Sequence, residues 1–273
     1  MFGWLQARHR RKTLEHPFPE GWNAILERNV AHWKLLDDAE RVQLRSLVQV
    51  FVAEKQWEGC GGLELTEEIR VTIAGLACLL VLGLDHVLYS NVKSILVYPS
   101  TVIAPGQHSA LSSGTTIQGP GIPIYGQSIL RGPVVLVWDA VLGGATHPER
   151  GHNVVYHEFA HKLDMLDGCV DGTPPLADHG QYERWVKVCT REYDGLRRRG
   201  SKGERTFLDA YGGTNPGEFF AVITEYFFDK PLQMKRQHPE LYSLLQEFYR
   251  QDPAVREARH APRRPGTGGN ADH

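Results

Sequence analysis

The sequence predicts an α+β protein that is mostly helical, with a small sheet beside one helix that carries polar residues. Three observations support this class. Apolar residues recur at helical spacing over roughly the first 90 positions, short runs of β-branched residues occupy the middle of the chain, and helical periodicity returns after about residue 148. A few strands between two groups of helices are typical of α+β proteins.

The first part of the chain predicts three helices. Residues 19–29 carry apolar side chains at helical spacing. Asp37 or Asp38 is suited to cap a second helix, and Thr66 a third, because these side chains accept hydrogen bonds from the free N–H groups at a helix start. Residues 1–16 are strongly basic, and we expect them to be loosely held.

The middle of the chain predicts the strands. Residues 94–104 predict a strand that Pro99 either interrupts or confines to a sheet edge, because proline cannot donate to a ladder of hydrogen bonds. Residues 106–132 are rich in Gly, Ser and Pro and predict a long loop with at most one hairpin. Residues 133–138 predict a short strand, followed by a connection over 139–147.

The last part of the chain returns to helical periodicity, with glycine and proline between the segments. The predicted helices cover residues 148–164, 179–199, 217–229 and 239–251.

Composition and charge narrow the class of protein. The chain holds 30 Lys and Arg against 32 Asp and Glu, and this balance argues against direct nucleic-acid binding. Four separated cysteines without a C-x-x-C pair favour a reducing compartment. The most apolar stretch, residues 71–84, is short for a membrane span, and the N-terminus lacks the pattern of a secretory signal. We therefore expect a soluble, cytoplasmic protein.

Residues 157–161, His-Glu-Phe-Ala-His, form the strongest functional motif. On a helix, positions i and i+4 share one face, so His157 and His161 can bind one metal ion. Glu158 then lies beside the open coordination position, where it can accept a proton from a water that attacks a carbonyl. Apolar neighbours such as Val155 indicate a packed helix rather than a solvent-exposed one. The motif predicts a zinc-dependent peptidase.

A catalytic zinc site needs a third protein ligand, and two glutamates are candidates. Glu218 lies at the start of a later helix, where Asn215 and Glu218 also match a capping box. Glu225 lies seven residues further on and therefore shares the same helical face. One glutamate could bind zinc while the other holds a ligand histidine, and spacing alone leaves the choice open.

For two further residues, both a role at the metal site and a purely structural role are open. Asp164 shares the helical face of His161, so it could orient an imidazole or a nearby backbone group, or it could be a surface residue at the helix end. Tyr211 precedes the helix of Glu218 and could donate a hydrogen bond to the oxyanion that forms on the attacked carbonyl, or pack within its turn.

Taken together, these segments resemble the Mlc titration factor A (MtfA) family of metallopeptidases. The resemblance covers most of residues 17–255. Its most specific segments are residues 131–138, 157–164, 209–211, 215–228 and 248–253.

The resemblance implies a zincin-like fold whose catalytic core is similar to the anthrax lethal factor peptidase domain, and it implies zinc aminopeptidase activity. It implies that His157, His161 and Glu218 bind one Zn²⁺, that Glu158 is the base, and that Tyr211 stabilises the tetrahedral intermediate. It also implies a partner, the glucose repressor Mlc. The alternative function is that of a non-catalytic regulatory protein that sequesters a transcriptional repressor.

These observations predict one folded domain with two tails. Residues 1–16 form a basic, flexible N-terminus, and residues 256–273 form a disordered tail. The zincin-like domain covers residues 17–255, with a helical N-terminal part over about 17–90 and a catalytic part over about 91–255.

Overall fold

The computed structural model describes residues 2–84, 89–100 and 132–260, and it confirms a mostly helical α+β fold with a small sheet. The helices are α1 (Phe2–Leu14), α2 (Glu20–Asn29), α3 (Asp38–Glu54), α4 (Glu67–Leu80), α5 (Trp138–Thr146), α6 (Val154–Asp164), α7 (His179–Ser201), α8 (Pro216–Asp229), α9 (Pro231–Gln237), α10 (Pro239–Tyr249) and α11 (Pro253–His260). The strands are β1 (Gln56–Gly59), β2 (Ser94–Tyr98) and β3 (Val134–Val137). Short 3-10 helices cover Ala31–Leu35, Pro148–Arg150, Met165–Asp167 and Ala210–Gly213.

The three strands form a parallel sheet in the order β1-β2-β3. Ile95 of β2 is paired with Trp57 on one side and with Val134 on the other. Because β2 is the central strand, the prediction that Pro99 marks an edge was wrong. The alternative, that Pro99 ends the strand, is confirmed, since β2 stops at Tyr98. The predicted loop over 106–132 lies almost entirely outside the described residues.

The predicted helix starts in the first part of the chain are confirmed. Asp37 accepts from the N–H of Glu40 while the Glu40 side chain accepts from the N–H of Asp37, which makes a reciprocal capping box. Thr66 accepts from the N–H of Ile69 and caps α4. Nearly all residues of α4 are buried, so this helix forms the centre of the core.

Three segments differ from the prediction. Helix α1 covers residues that we expected to be loosely held, and Arg10 forms an ion pair of 2.7 Å with Glu54 of α3. Residues 139–147, expected to be a connection, lie largely in α5. Helix α11 extends to His260, and its buried Arg256 forms an ion pair of 2.6 Å with Glu40. Residues 256–260 therefore belong to a packed helix, and the prediction that a disordered tail begins at residue 256 was wrong.

Helix α6, which carries the His-Glu-x-x-His motif, contacts α4, α5, α8 and β3. The sheet lies beside this helix as expected, and the Lys162 ammonium donates to the Gly132 carbonyl just before β3. None of the helices in the described ranges is long and apolar enough to cross a membrane. The extensive packing of α6 holds the side chains of the motif in place.

Candidate metal centre and adjoining cleft

Helices α6 and α8 are each preceded by an asparagine that caps the helix. The Asn153 side chain accepts from the N–H of Tyr156, and the Asn215 side chain accepts from the N–H of Glu218. An asparagine at this position satisfies one of the N–H groups that have no partner within the helix. The two helices then pack against each other along much of their length.

This packing brings His157, His161 and Glu218 together. The Oε2 atom of Glu218 is 2.9 Å from Nε2 of His157 and 3.4 Å from Nε2 of His161. One ligand atom from each of the three side chains lies within 4.8 Å of the others. Ligand atoms 2.0–2.1 Å from one tetrahedral zinc ion are about 3.3 Å apart. Two imidazole nitrogens and a carboxylate oxygen in this arrangement fit a single Zn²⁺.

Glu225 occupies the other side of His157. Its Oε1 atom is 2.8 Å from Nδ1 of His157, and its Oε2 atom accepts from the N–H of Asn153 at 2.7 Å. A carboxylate on Nδ1 fixes the orientation and tautomer of the imidazole and leaves Nε2 for a metal. The two glutamates therefore differ in the imidazole atoms that they contact: Glu218 faces both Nε2 atoms, and Glu225 faces Nδ1 of His157.

The charges in this cluster stabilise one another. Burial lowers the pKa of His157, but the hydrogen bonds with Glu218 and Glu225 outweigh it and hold the pKa well above its ordinary value. Burial raises the pKa of Glu218, but His157 and His161 hold it well below its ordinary value. Burial also raises the pKa of Glu158, the motif's own carboxylate. A carboxylate with a raised pKa is better suited to accept a proton during a reaction.

Asp164 is fully buried, which excludes the alternative that it is a surface residue. It accepts from the N–H of Gly172 at 3.0 Å, and burial raises its pKa to about 6. Gly172 has a positive φ of 78° and lies directly against the carbonyl of Pro216, which leaves no room for a Cβ atom. Asp164 therefore orients a backbone group and links the end of α6 to the start of α8.

Tyr211 lies beside the metal cluster, on the 3-10 helix that precedes α8. Its ring centroid is 6.1 Å from that of His157. Asp209 caps this short helix by accepting from the N–H of Tyr211 at 2.8 Å. Asp209 was predicted only as part of the segment 209–211 and was given no role, although an aspartate two residues before a turn residue is the signal of an Asx-turn.

A cleft of about 390 Å³ opens beside the cluster, in the size range of ligand pockets, about 300–1,000 Å³. His157 and Tyr211 line it together with residues of α5. This cleft could not be foreseen from the sequence, where residues 139–147 were predicted to be a connection and not a helix. The residues of α5 and the adjoining loop that line it are Asp139, Ala140, Gly143, Gly144, Arg150 and His152.

A His-Glu-x-x-His helix joined by a carboxylate from a later helix is a ligand arrangement typical of zinc metallopeptidases. Residues 4–250 match the model of the family described as glucose-regulated metallo-peptidase M90. The chain belongs to this family, and it is a metallopeptidase in that sense.

Individual relatives agree with the family assignment. The chain is 35% identical to an uncharacterized protein of Synechocystis sp., over 92% of this chain and 91% of that protein. It is 33% identical to the Mlc titration factor A of Serratia proteamaculans, over 81% of this chain and 84% of that protein. It is 32% identical to the Mlc titration factor A of Pectobacterium atrosepticum, over 93% and 92%. The resemblance to the MtfA family is thereby confirmed.

Proposed function

We propose that this protein is a zinc-dependent peptidase, with His157, His161 and Glu218 holding one Zn²⁺. The observation that carries the proposal is the meeting of three ligand atoms within 4.8 Å, on two helices whose other contacts hold them in place. The hydrogen bond from His157 to Glu225 supports it further, because metal-binding histidines commonly have such a partner.

Glu158 and Tyr211 have separate roles in the proposed reaction. When bound, zinc supplies Lewis acidity that polarises a peptide carbonyl and lowers the pKa of water. Glu158 accepts a proton from the attacking water and then passes it to the leaving amine. Tyr211, whose ring lies beside that of His157, donates a hydrogen bond to the oxyanion. Positioned acid–base groups of this kind contribute about 10²–10⁴ in rate.

We further propose that the peptidase is an aminopeptidase, which the resemblance to the MtfA family supports. A panel of peptides with free and with acetylated N-termini tests this. Hydrolysis of the free peptides alone is expected, with release of the first residue, and internal cleavage of the acetylated peptides would contradict it.

The metal ligands and the base can be tested with four variants and one control. Purified wild type is expected to contain about one zinc per chain, while His157→Ala and Glu218→Ala retain little. Glu158→Gln should keep the metal and lose peptide hydrolysis by about 10²–10⁴-fold. Tyr211→Phe should keep the metal and hydrolyse more slowly, by a smaller factor.

The matched control is His179→Ala, because this histidine is highly exposed at the start of α7 and lies outside the cluster. It should leave both zinc content and activity unchanged. Full hydrolysis by Glu158→Gln, or full zinc content in Glu218→Ala, would contradict the assignment of these residues.

A second candidate function is suggested by the printed names of the relatives, Mlc titration factor A. The protein would bind an Mlc-type transcriptional repressor in the cytoplasm and thereby influence the regulation of sugar uptake. A pull-down with the repressor and the Glu158→Gln variant separates this function from peptidase activity. Binding by the inactive variant supports a separate regulatory surface, and no binding by either form rejects it.

A further inference from the structure

The C-terminal end of α7 and the loop after it carry a dense group of positive charges. Residues 194–205 contain five basic residues and only two acidic ones, Asp194 and Glu204. Four of the five basic side chains are exposed, and that of Arg199 is half-buried. We call these five residues the α7 basic patch: Arg197, Arg198, Arg199, Lys202 and Arg205.

The chain turns back after α7 and keeps the patch compact. Gly203 has a positive φ of 68°, and the N–H of Glu204 donates to the carbonyl of Arg199 at 3.1 Å. Arg205 therefore stays close to the end of the helix. The dipole of α7 favours basic residues in its last turn, but Arg205 follows the helix and gains little from it. Like charges at this density repel one another and favour the binding of an anion.

The chain itself does not supply that anion. Within the described ranges, none of the five cations of the patch forms an ion pair with a carboxylate. Outside those ranges, the sequence has only two acidic side chains, Asp85 and Asp272. Two carboxylates are too few to neutralise five cations, so the complementary charge has to come from another molecule.

The α7 basic patch adjoins the 3-10 helix that carries Tyr211. A Cβ atom on Gly213 would lie only 3.2 Å from Cγ of Arg197, so the end of α7 packs directly against this short helix. Gly213 lies two residues after Tyr211, whose ring is beside that of His157. A polypeptide bound at the proposed reaction centre can therefore extend over the 3-10 helix onto the patch.

Carboxylates on a polypeptide fit the patch better than nucleic-acid phosphates do. The whole chain has 30 basic and 32 acidic residues, without the overall basic excess that is typical of nucleic-acid-binding proteins. Four of the five cations are arginines, whose planar guanidinium groups bind carboxylates through two parallel hydrogen bonds. The position of the patch beside a candidate peptidase site also favours a polypeptide.

We propose that the α7 basic patch binds an acidic stretch of the polypeptide substrate, on the C-terminal side of the scissile bond. This inference rests on the proposed peptidase function and names its substrate class, which is polypeptides with Asp or Glu residues downstream of the cleaved bond. The patch lies outside the reacting atoms, so it lowers KM for such substrates and leaves kcat nearly unchanged.

The test uses pairs of peptides of about ten residues, long enough to span roughly 30 Å. The two peptides of a pair share a free N-terminus and the same first residues, and they differ in a downstream block of either Glu or Gln. The block is moved along the peptide from pair to pair. For the best-placed block, wild type should show a kcat/KM about three- to tenfold higher for Glu than for Gln, through KM, because several exposed charge pairs each contribute modestly. High salt should remove this preference.

The decisive variant reverses three charges of the patch, in Arg198→Glu, Lys202→Glu and Arg205→Glu combined. It should lose or invert the preference for Glu peptides and hydrolyse Gln peptides within about twofold of wild type. The same three positions changed to Gln should give an intermediate result. Binding of labelled peptides to Glu158→Gln, with and without the charge reversal, gives the same comparison without turnover.

The matched control reverses three exposed cations on other elements, in Lys34→Glu, Arg236→Glu and Arg259→Glu combined. It changes the net charge by the same amount and should keep the preference for Glu peptides. Zinc content and melting temperature establish that each variant is folded.

The outcomes separate this inference from the proposed function. A wild type that hydrolyses no peptide overturns the peptidase assignment, while tighter binding of Glu than of Gln peptides still supports the patch. Equal hydrolysis and equal binding of Glu and Gln peptides at every placement overturn the inference about the patch. An equal loss of preference in the control variant also overturns it, as does binding of duplex DNA that depends on the patch without any preference for Glu peptides.

Discussion

His157 and His32 are both buried histidines, and they lie at two faces of α6. His157 is on the helix itself, and His32 contacts the preceding residue, Tyr156, whose hydroxyl is 3.1 Å from Nδ1 of His32. Consecutive residues of a helix point about 100° apart, so the two histidines belong to different clusters. His157 meets two carboxylates, whereas Nε2 of His32 is 2.9 Å from the carbonyl of Phe228.

The two environments shift the pKa values in opposite directions. Burial lowers the pKa of His32 to about 4, and its hydrogen bond to the Phe228 carbonyl offsets this only in part. Asp229 is near, with 3.4 Å between its Oδ1 atom and Nε2 of His32, but burial raises the pKa of this carboxyl well above its ordinary value. Burial without an ionised partner thus lowers the pKa of His32 and keeps it neutral. His157 is also buried, but its carboxylate partners raise its pKa and favour its charged form.

Among the tests of this comparison between the two histidines, the largest effect on the free energy of unfolding is expected for His32→Ala. The change leaves the Phe228 carbonyl and the buried Tyr156 hydroxyl without their partner, at about 1–3 kcal/mol each. We expect the free energy of unfolding to fall by about 4 kcal/mol at pH 7, measured by urea denaturation. Zinc content should be unchanged, and a loss of zinc would show that the two clusters are not separate.

The pH dependence of stability should be the next largest effect. The pKa of His32 is about 4 in the folded protein against an ordinary value of 6.5. Between these two pH values the unfolded chain binds a proton at His32 that the folded protein does not bind. Stability is therefore lost as pH falls from about 6.5 to 4, by at most about 3 kcal/mol. Urea unfolding of the metal-free protein should show this loss in wild type in excess of that in His32→Ala. Equal slopes for the two proteins would contradict it.

A smaller effect is expected when the partner of His157 is removed. Glu225→Ala should weaken zinc binding by about 10–100-fold, because the imidazole loses the group that orients it. Glu225→Gln keeps an acceptor and should lose less. The measurement is competition with a chelator of known affinity, and unchanged affinity in Glu225→Ala would show that His157 does not need this contact.

The smallest effect is expected for Asp229→Asn, one helical turn beyond Glu225. Both carboxylate oxygens of Asp229 are buried without a hydrogen-bond partner in the described residues. Burial raises the pKa of Asp229 in the folded protein, so above about pH 4 the unfolded chain is favoured because its carboxyl ionises more readily. An asparagine does not ionise, so the Asp229→Asn variant avoids this loss of folding stability. We expect a gain of about 1 kcal/mol at pH 7 and no change in zinc affinity. A loss of stability would show that Asp229 is a favourable partner of His32.

Local signals in the sequence were sufficient for much of the fold. The capping residues Asp37 and Thr66 predicted two helix starts, because a cap depends on atoms only two or three residues apart. Helix α5 was missed, since it contains Gly143 and Gly144 and follows β3 without a turn. Its stability comes from contacts with α2, α4 and α6, which no local pattern shows. Strand β1 was missed because four residues are too few to show alternation.

The sequence by itself determined which residues can share a helical face: His157 with His161, and Glu218 with Glu225. Within one helix, spacing along the chain sets relative position, so these pairings need no further information. Only the tertiary structure decided that Glu218 meets the Nε2 atoms and Glu225 meets Nδ1, because the rotation and shift of α8 against α6 depend on packing between residues far apart in the chain.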